Sequence, residues 1–276
     1  SLSELFYKDP YCKTFTATVL SCEPSDKGFR VTLNGTAFYP EGGGQLADHG
    51  MIGKSEVLDT RREGGVIYHY CKEAVEVGST QVCTLDWERR FSNMQNHSGE
   101  HILSGLIHQK FGYENVGFHM DEDVITCDFD GLLTLEDVSE MEKKANEAIV
   151  ADIRFCESFP SSEELQKLDY RSKIELTGKV RIMDVPGIDR CACCGTHVKS
   201  SSEVGILKVL SFSTHRGGTR VVFVCGMRAI KDYAKRISET QKVSAQLSVK
   251  PFEISAGVEK LKAENGGNSS STPSIP

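Results

Sequence analysis

Short runs of apolar or alternating residues, separated by turn-forming residues, fill the first third of the chain. The runs lie at residues 14–19, 30–33, 66–70 and 81–85, with Gly, Asn, Asp and Ser between them. Strands of this length at this spacing are typical of a small barrel or sandwich. The pattern therefore predicts an N-terminal β-barrel domain over residues 1–88.

The hydrophobic period changes at Trp87. Apolar residues recur at near-helical intervals, and Gly112 follows them as a C-cap, which predicts a helix over residues 88–111. Further along, strands are predicted at 124–129, 179–185, 205–213 and 219–224, and helices at 134–152 and 162–168. Residues 89–226 are thus predicted to form a two-layer α/β domain with an antiparallel or mixed sheet, which makes the chain α+β.

The strand pattern stops near residue 226. Residues 229–247 and 253–264 read as helices, with Pro251 as the break between them. We expect a helical extension over 227–276, in which the two helices could pair with a second copy of the chain to form a dimer. The segment 266–273 is polar and turn-rich, so we expect a disordered tail.

The composition predicts a cellular compartment, and the charges are unevenly distributed along the chain. The 276 residues carry a net charge of −7 and ten cysteines, and they contain neither a membrane-length apolar run nor a signal-peptide pattern at the start. We therefore expect no membrane association and mostly buried, reduced thiols in a cytoplasmic protein. Residues 171–242 nevertheless hold 14 Lys or Arg against 6 Asp or Glu, a balance of +8. A basic stretch of this kind favours a polyanion as partner.

Two short motifs predict a metal site. His97 and His101 lie four residues apart in the predicted helix and therefore share one face of it. Cys193 and His197 show the same spacing in a second half-site. Three imidazoles and one thiolate suit Zn²⁺ better than Mg²⁺ or Ca²⁺, so we expect one zinc ion per chain. Spacing alone leaves Cys191 and Cys194 as competing ligands.

The segment around these histidines also fits another chemistry. His97, Glu100 and His101 match the H-x-x-E-H pattern of inverted zinc peptidases, with Glu100 as general base. Lyases with similar zinc sites are a related alternative. A third is a non-catalytic tRNA-binding module with a structural zinc.

The combined motifs resemble a known family. HxxxH followed by CxxxH is similar to the editing domain of alanyl-tRNA synthetases and their free-standing relatives, the AlaX-type trans-editing proteins; bacterial threonyl-tRNA synthetases carry a related domain. The likeness covers roughly residues 4–250. It includes a glycine-rich segment at residues 36–50, TAFYPEGGGQLADHG, and CCGTHV at residues 193–198. Cys194 stands where the family usually has glycine.

The resemblance implies a stand-alone proofreader that hydrolyses seryl- or glycyl-tRNA(Ala). It implies zinc ligands His97, His101, Cys193 and His197, and it places Gln45 with His97 and His101 among the catalytic residues. The substrate-binding residues that it implies are Gly42, Gly43, Gly44, Gln45, Gly117, Phe118 and His119.

Overall fold

A computed structural model describes residues 4–172 and 179–269 of the chain. The chain divides into two compact units, Ser1–Arg228 and Ala229–Pro276. Unit 1 contains a closed barrel and two further antiparallel sheets, packed with helices. This architecture confirms the predicted α+β class. Among the described residues, no helix combines the length and the apolar character needed to cross a membrane.

Six antiparallel strands close the predicted barrel in the order β1-β2-β5-β4-β3-β6. A short helix, α1, precedes them, and its Phe6 is fully buried. The barrel core includes Phe15, Val31 and Ile52. The bounds are α1 Leu5–Lys8, β1 Thr14–Ser25, β2 Gly28–Leu33, β3 Gly50–Ile52, β4 Ser55–Glu63, β5 Val66–Cys71 and β6 Thr80–Leu85.

Strands β3 and β4 were not predicted from the sequence. In β4 the inward positions are Ser55, Val57 and Thr60, while most of the other side chains are charged and face outward. With one strongly apolar residue among the three inward positions, the alternation is too weak to detect. Barrel closure, rather than local hydrophobicity, therefore selects these two strands.

The helix predicted at 88–111 is α2, Trp87–Phe111. Asp86 caps its first turn by accepting a hydrogen bond from the backbone N–H of Arg89, and Gly112 ends it with a positive φ of 72°. Every residue from 93 to 107 is buried. Many of these buried residues are polar. The centre of α2 therefore does more than contribute apolar side chains to the core.

Two antiparallel sheets complete unit 1, in the orders β12-β13-β8-β7 and β11-β10-β9. Helix α3 opens with a capping box at Thr134 and Asp137 and packs against α2. The bounds are β7 Asn115–Met120, β8 Ile125–Phe129, α3 Leu135–Val150, β9 Cys156–Ser158, α4 Ser162–Lys167, β10 Ile182–Val185, β11 Asp189–Ala192, β12 Leu207–His215 and β13 Gly218–Cys225. The predicted domain boundaries at residues 88 and 226 stay predictions.

Helices α5, Met227–Leu247, and α6, Ile254–Ser269, account for the predicted extension. A 3₁₀ turn at Pro251–Glu253 separates them. The expectation of a disordered tail from residue 266 is wrong for its first residues. Helix α6 continues through residues 266–269 despite their turn-forming composition. Residues 270–273 of that predicted tail lie outside the described residues.

Candidate metal centre and its cavity

The four predicted metal ligands converge. One ligand atom from each of His97, His101, Cys193 and His197 lies within 4.8 Å of all the others. The Cys193 Sγ is 3.5 Å from His97 Nε2 and 3.4 Å from His197 Nε2. The three imidazoles are almost completely buried. The half-sites, 92 residues apart in sequence, therefore form one compact donor set.

The donor set fits Zn²⁺ in spacing and in chemistry. In a tetrahedral site, with Zn–S about 2.3 Å and Zn–N about 2.1 Å, sulfur and nitrogen are roughly 3.6 Å apart. The observed separations at Cys193 agree with that value. A thiolate with three imidazoles is also a soft-to-borderline set, which hard cations such as Mg²⁺ do not prefer.

Local structure explains how the two halves meet. His97 and His101 are one turn apart on α2 and project to the same side. Cys193 and His197 lie just beyond β11, in a loop where Gly195 packs directly on His97. A Cβ at Gly195 would be 2.1 Å from His97 Cε1, so only glycine allows this approach. Arg181 donates to the carbonyls of Cys193, at 3.0 Å, and Gly195, at 2.7 Å, and fixes the loop.

Each ligand imidazole has a polar group beside its second ring nitrogen. His97 Nδ1 lies 2.9 Å from the Gln45 Oε1, and His197 Nδ1 lies 3.0 Å from the Ser98 hydroxyl. His101 Nδ1 lies 3.3 Å from the Asp189 Oδ2. Partners of this kind fix the tautomer and the ring orientation, and they leave Nε2 for a metal.

The electrostatics favour a deprotonated thiol. Burial alone would raise the pKa of Cys193, but His97, His101 and His197 outweigh burial and hold that pKa well below its ordinary value. Burial lowers the pKa of His197 to about 3, which leaves this imidazole neutral near pH 7. At His101, by contrast, burial is outweighed by Cys193 and Glu100, which raise its pKa to about 9. A thiolate and a neutral imidazole are the forms that coordinate zinc.

A cavity of about 870 Å³ opens onto this cluster. Its walls include His97, His101 and Cys193 together with four of the predicted substrate-binding residues, which are Gly43, Gly44, Gly117 and Phe118. Gly42, Gln45, His119 and His197 are not among its lining residues. The metal cluster and the glycine-rich loop thus share one pocket.

The glycine-rich loop is a tight turn. The backbones of Gly42 and Gln45 hydrogen-bond to each other. The two residues between them, Gly43 and Gly44, have φ angles of +60° and +84°. A Cβ at Gly44 would lie 2.1 Å from the ring of Phe118. Phe118 in turn packs on His97, with ring centroids 5.1 Å apart. The loop therefore needs glycine both for its conformation and for its contact with the pocket wall.

Gln45 lies behind the wall of the cavity and does not line it. Its side chain is fully buried and is bound at both ends to the CCGTHV loop. Its Oε1 accepts from the backbone N–H of Thr196 at 3.0 Å, and its Nε2 donates to the Thr196 hydroxyl at 2.8 Å. Gln45 thus ties the barrel loop to His97 and Thr196. His119, on β7, is exposed and does not line the cavity.

Glu100 does not line the cavity, although it completes the H-x-x-E-H pattern and its Oε2 lies 3.5 Å from the His101 Nε2. It is fully buried, and its Oε1 accepts from Asn115 Nδ2 at 2.8 Å and from the Ser104 hydroxyl at 3.1 Å. A general base must reach the substrate or its water. The burial of Glu100 therefore argues against the zinc-peptidase alternative.

The competing cysteines lie in other surroundings. Cys194 lies at the cavity wall beside Gly43, where a Cβ on that glycine would be 2.6 Å from the Cys194 Sγ. Cys191 is buried in β11, borders the cavity, and belongs with Asp189 to a second group that shares His101 with the four-ligand set. Cys193 is thus the cysteine of this segment that joins the three-histidine set.

Several residues of the site carried no sequence signal. The cavity wall includes Tyr7, Lys8, Phe159, Lys179 and Arg181, none of which belongs to a motif. Ser98 was visible only as part of the HSGEH segment. These residues come from distant stretches of chain, so only the tertiary structure shows that they belong to the site.

Comparison with known proteins agrees with the geometry. Residues 180–222 match the family model described as the threonyl and alanyl tRNA synthetase second additional domain. The chain is 31% identical over 274 residues to alanyl-tRNA editing protein Aarsd1 of Danio rerio, covering 92% of this chain and 66% of that protein. It is 34% identical over 239 residues to alanyl-tRNA editing protein AlaX-L of Pyrococcus horikoshii, covering 83% and 59%.

A full synthetase is also similar. The chain is 33% identical over 274 residues to alanine–tRNA ligase of Ignicoccus hospitalis, covering 94% of this chain and 30% of the ligase. The chain thus spans between 30% and 66% of the length of these three relatives. At 92% and 94% of this chain, the matches to the Danio rerio and Ignicoccus hospitalis proteins are long enough that they must include both the glycine-rich loop and the metal cluster. The chain belongs to the family of alanyl-tRNA synthetase editing domains and their free-standing editing relatives.

Proposed function

We propose that this chain hydrolyses the ester bond between a wrong amino acid, serine or glycine, and the 3′ end of tRNA(Ala). The observation that carries the proposal is the convergence of His97, His101, Cys193 and His197 at the wall of a cavity that also contains the glycine-rich loop. Two similar proteins are named alanyl-tRNA editing proteins, which supports the same reaction here.

Hydrolysis of this ester requires few catalytic groups from the protein. An aminoacyl ester is already activated, so a positioned water and stabilisation of the developing charge suffice for hydrolysis. His97, His101, Cys193 and His197 would hold a zinc ion, which supplies a positive charge for binding the substrate's amino or hydroxyl group or for polarising a water. Four protein ligands leave little room for more, which favours an orienting role.

The surrounding residues divide into two groups. Gly43, Gly44, Gly117 and Phe118 form the pocket wall, and we propose that they contact the aminoacyl group. Gln45 holds His97 and Thr196 in place, which makes it a positioning residue. Gly42 closes the turn that carries Gly43 and Gly44. We assign no contact with substrate to His119.

Discrimination against alanine follows from hydrogen bonding. Alanine lacks the hydroxyl of serine, so a site that binds this hydroxyl is left with unpaired polar groups when alanine enters. Such sites reject the analogue far more strongly than an apolar pocket of similar size does. The alanyl ester is therefore spared relative to the seryl ester; glycine also lacks this hydroxyl, so the same contact does not select the glycyl ester.

The proposal also covers the partner, the oligomeric state and the compartment. The +8 balance over residues 171–242 supports contact with tRNA phosphates. Ile230, Tyr233 and Ile237 recur at three- and four-residue intervals along α5, a pattern that supports pairing of a second copy through the C-terminal helices. All ten cysteines are free, which supports a reducing, cytoplasmic location.

A deacylation assay tests the function. Purified protein is incubated with seryl-, glycyl- and alanyl-tRNA(Ala), each with and without a zinc chelator, and the release of amino acid is measured. We expect hydrolysis of the seryl or glycyl ester, little hydrolysis of the alanyl ester, and loss of activity with the chelator.

Three outcomes contradict the proposal in different ways. Equal hydrolysis of all three esters removes the specificity. Tight binding of acylated tRNA without hydrolysis favours a non-catalytic binding module. Full activity in a protein shown to contain no metal removes the role of zinc while leaving the hydrolase.

A further inference from the structure

The three ligand histidines are held by chemically different groups. Gln45 supplies a neutral amide to His97 and Ser98 a neutral hydroxyl to His197. His101 alone, among the three, lies beside carboxylates: its Nδ1 is 3.3 Å from the Asp189 Oδ2, and its Nε2 is 3.5 Å from the Glu100 Oε2. A carboxylate on the outer nitrogen makes an imidazole a stronger metal donor than a neutral partner does.

Asp189 is itself held by a buried arginine. Arg171 Nε donates to Oδ1 at 2.6 Å, and Arg171 Nη2 donates to Oδ2 at 2.9 Å. Both side chains are almost completely buried, at 4% and 1% exposure. The two parallel hydrogen bonds fix the plane of the carboxylate, and therefore the direction from which it meets His101.

Backbone packing brings the two charges to this position. Arg171 pairs with β11 through hydrogen bonds from its own N–H to the Arg190 carbonyl, at 2.8 Å, and from Ala192 N–H to its carbonyl, at 2.9 Å. Gly105, one turn after His101 on α2, lies against Asp189. A Cβ on Gly105 would be 2.5 Å from the Asp189 Cβ. The missing side chain thus lets β11 approach α2.

We infer that Asp189, held by Arg171, is the positioning residue that sets the zinc affinity of the site through His101. The inference rests on the metal site of the proposed function. Neither residue contacts substrate in this role. Arg171 acts through Asp189, because its guanidinium fixes the carboxylate and the carboxylate fixes the imidazole.

A second metal ion is a poorer explanation for the same residues. His101, Asp189 and Cys191 are close enough to share an ion. However, Arg171 occupies both oxygens of Asp189 with a fixed positive charge. A cation there would displace the arginine into a buried space or face it at short range, and both are costly.

The test is the zinc affinity of Asp189→Asn, measured by competition with a chromophoric chelator. Asparagine keeps the shape but removes the charge that supports His101. We expect zinc binding about 10- to 100-fold weaker than in the unchanged protein, the usual effect of removing such a partner. The stability of the zinc-free variant, measured by urea unfolding, separates a metal effect from a general structural one.

Asp184→Asn is the matched control. Asp184 lies on β10 in the same sheet and pairs with Arg190 at 3.5 Å, but it does not face the metal cluster. We expect its zinc affinity to equal that of the unchanged protein. Arg171→Lys serves as a second variant that retains the charge and loses the paired hydrogen bonds, so we expect an intermediate loss of zinc affinity.

Two results would overturn the inference. One is a folded Asp189→Asn or Arg171→Lys protein that binds zinc as tightly as the Asp184→Asn control. The other is an unchanged protein that binds no zinc, which removes the metal site itself. Because the readout is zinc binding, absence of deacylase activity leaves the inference standing and counts only against the proposed function.

Discussion

At the scale of the residue, one short segment contains three thiols with three environments. Cys191 is buried in β11, Cys193 faces the imidazoles, and Cys194 reaches the cavity wall beside Gly43. Spacing in the sequence could not choose among them. The resemblance pointed to Cys193, and the geometry agrees, because this residue lies just past the end of β11 where the chain turns towards α2.

Replacing the two neighbouring cysteines separates their roles. We expect Cys193→Ala to bind zinc more than about 100-fold more weakly and to lose hydrolysis, since removal of a ligand costs more than removal of a supporting residue. Cys194→Ala serves as its control and is expected to keep both. Zinc content after dialysis and seryl-tRNA(Ala) hydrolysis check the pair; loss of zinc from the Cys194 variant instead would reassign the ligand.

The residues that support the ligands were beyond prediction. Gln45 was recognised within its motif, but as a catalytic residue, and its full burial behind His97 depends on how the barrel loop packs. Asp189 and Arg171 belong to no motif at all. A ligand spacing is a local property of a helix or a turn, whereas a supporting contact joins distant segments, so the sequence predicts the first and not the second.

At the scale of the element, the predictions were correct where a single helix or strand has a strong hydrophobic pattern of its own. The prediction of helix α2 is correct to within one residue, because its apolar period and its C-cap agree. Strands β3, β4, β7, β9 and β11 were missed, since they are short or their inward residues are few or polar. The glycine-rich loop was recognised through the family resemblance, but its contact with Phe118 required the folded chain.

That contact leads to a prediction for Gly44→Ala. Alanine there meets both an unfavourable φ of +84° and the ring of Phe118, at 2.1 Å from the new Cβ. We expect a loss of about 1–2 kcal/mol of stability from the backbone alone, and a fall in kcat/KM because the displaced loop and Phe118 reshape the pocket. Urea unfolding and seryl-tRNA(Ala) hydrolysis measure the two effects.

Gly64→Ala isolates the backbone cost. Gly64 lies in the turn between β4 and β5 with φ of +57°, and no atom of the described residues would lie within 4 Å of a Cβ added there. It should lose similar stability while its kcat/KM stays unchanged. If both variants retain full activity, the loop has no part in shaping the pocket.

At the scale of the whole molecule, the α+β class and the barrel followed from the sequence, because both depend on the order of the elements. Overall charge was a poor guide, since a net −7 contains a +8 stretch over residues 171–242. The barrel also contains a polar feature that no sequence pattern suggests. His69 is fully buried there, near Val31 and Thr36.

This histidine makes the stability of the fold depend on pH. Its Nδ1 donates to the Val31 carbonyl at 2.9 Å, so its Nε2 accepts from the Thr36 hydroxyl at 2.8 Å, and the ring is neutral. Burial lowers the pKa of His69 to about 4 from an ordinary 6.5. Between these values the unfolded chain takes up a proton that the folded chain does not, so this contribution to stability is present above pH 6.5 and is lost as the pH falls towards 4.

We therefore expect the free energy of unfolding to fall by about 2 kcal/mol between pH 7.5 and pH 5 on account of His69. Urea unfolding of the unchanged protein and of His69→Gln at both pH values measures it. Protonation at the metal cluster is common to both proteins and cancels in their difference. That difference should shift by about 2 kcal/mol in favour of the variant at pH 5, because glutamine takes up no proton. A difference that stays constant from pH 7.5 to pH 5 would mean that the folded barrel accommodates the charged imidazole.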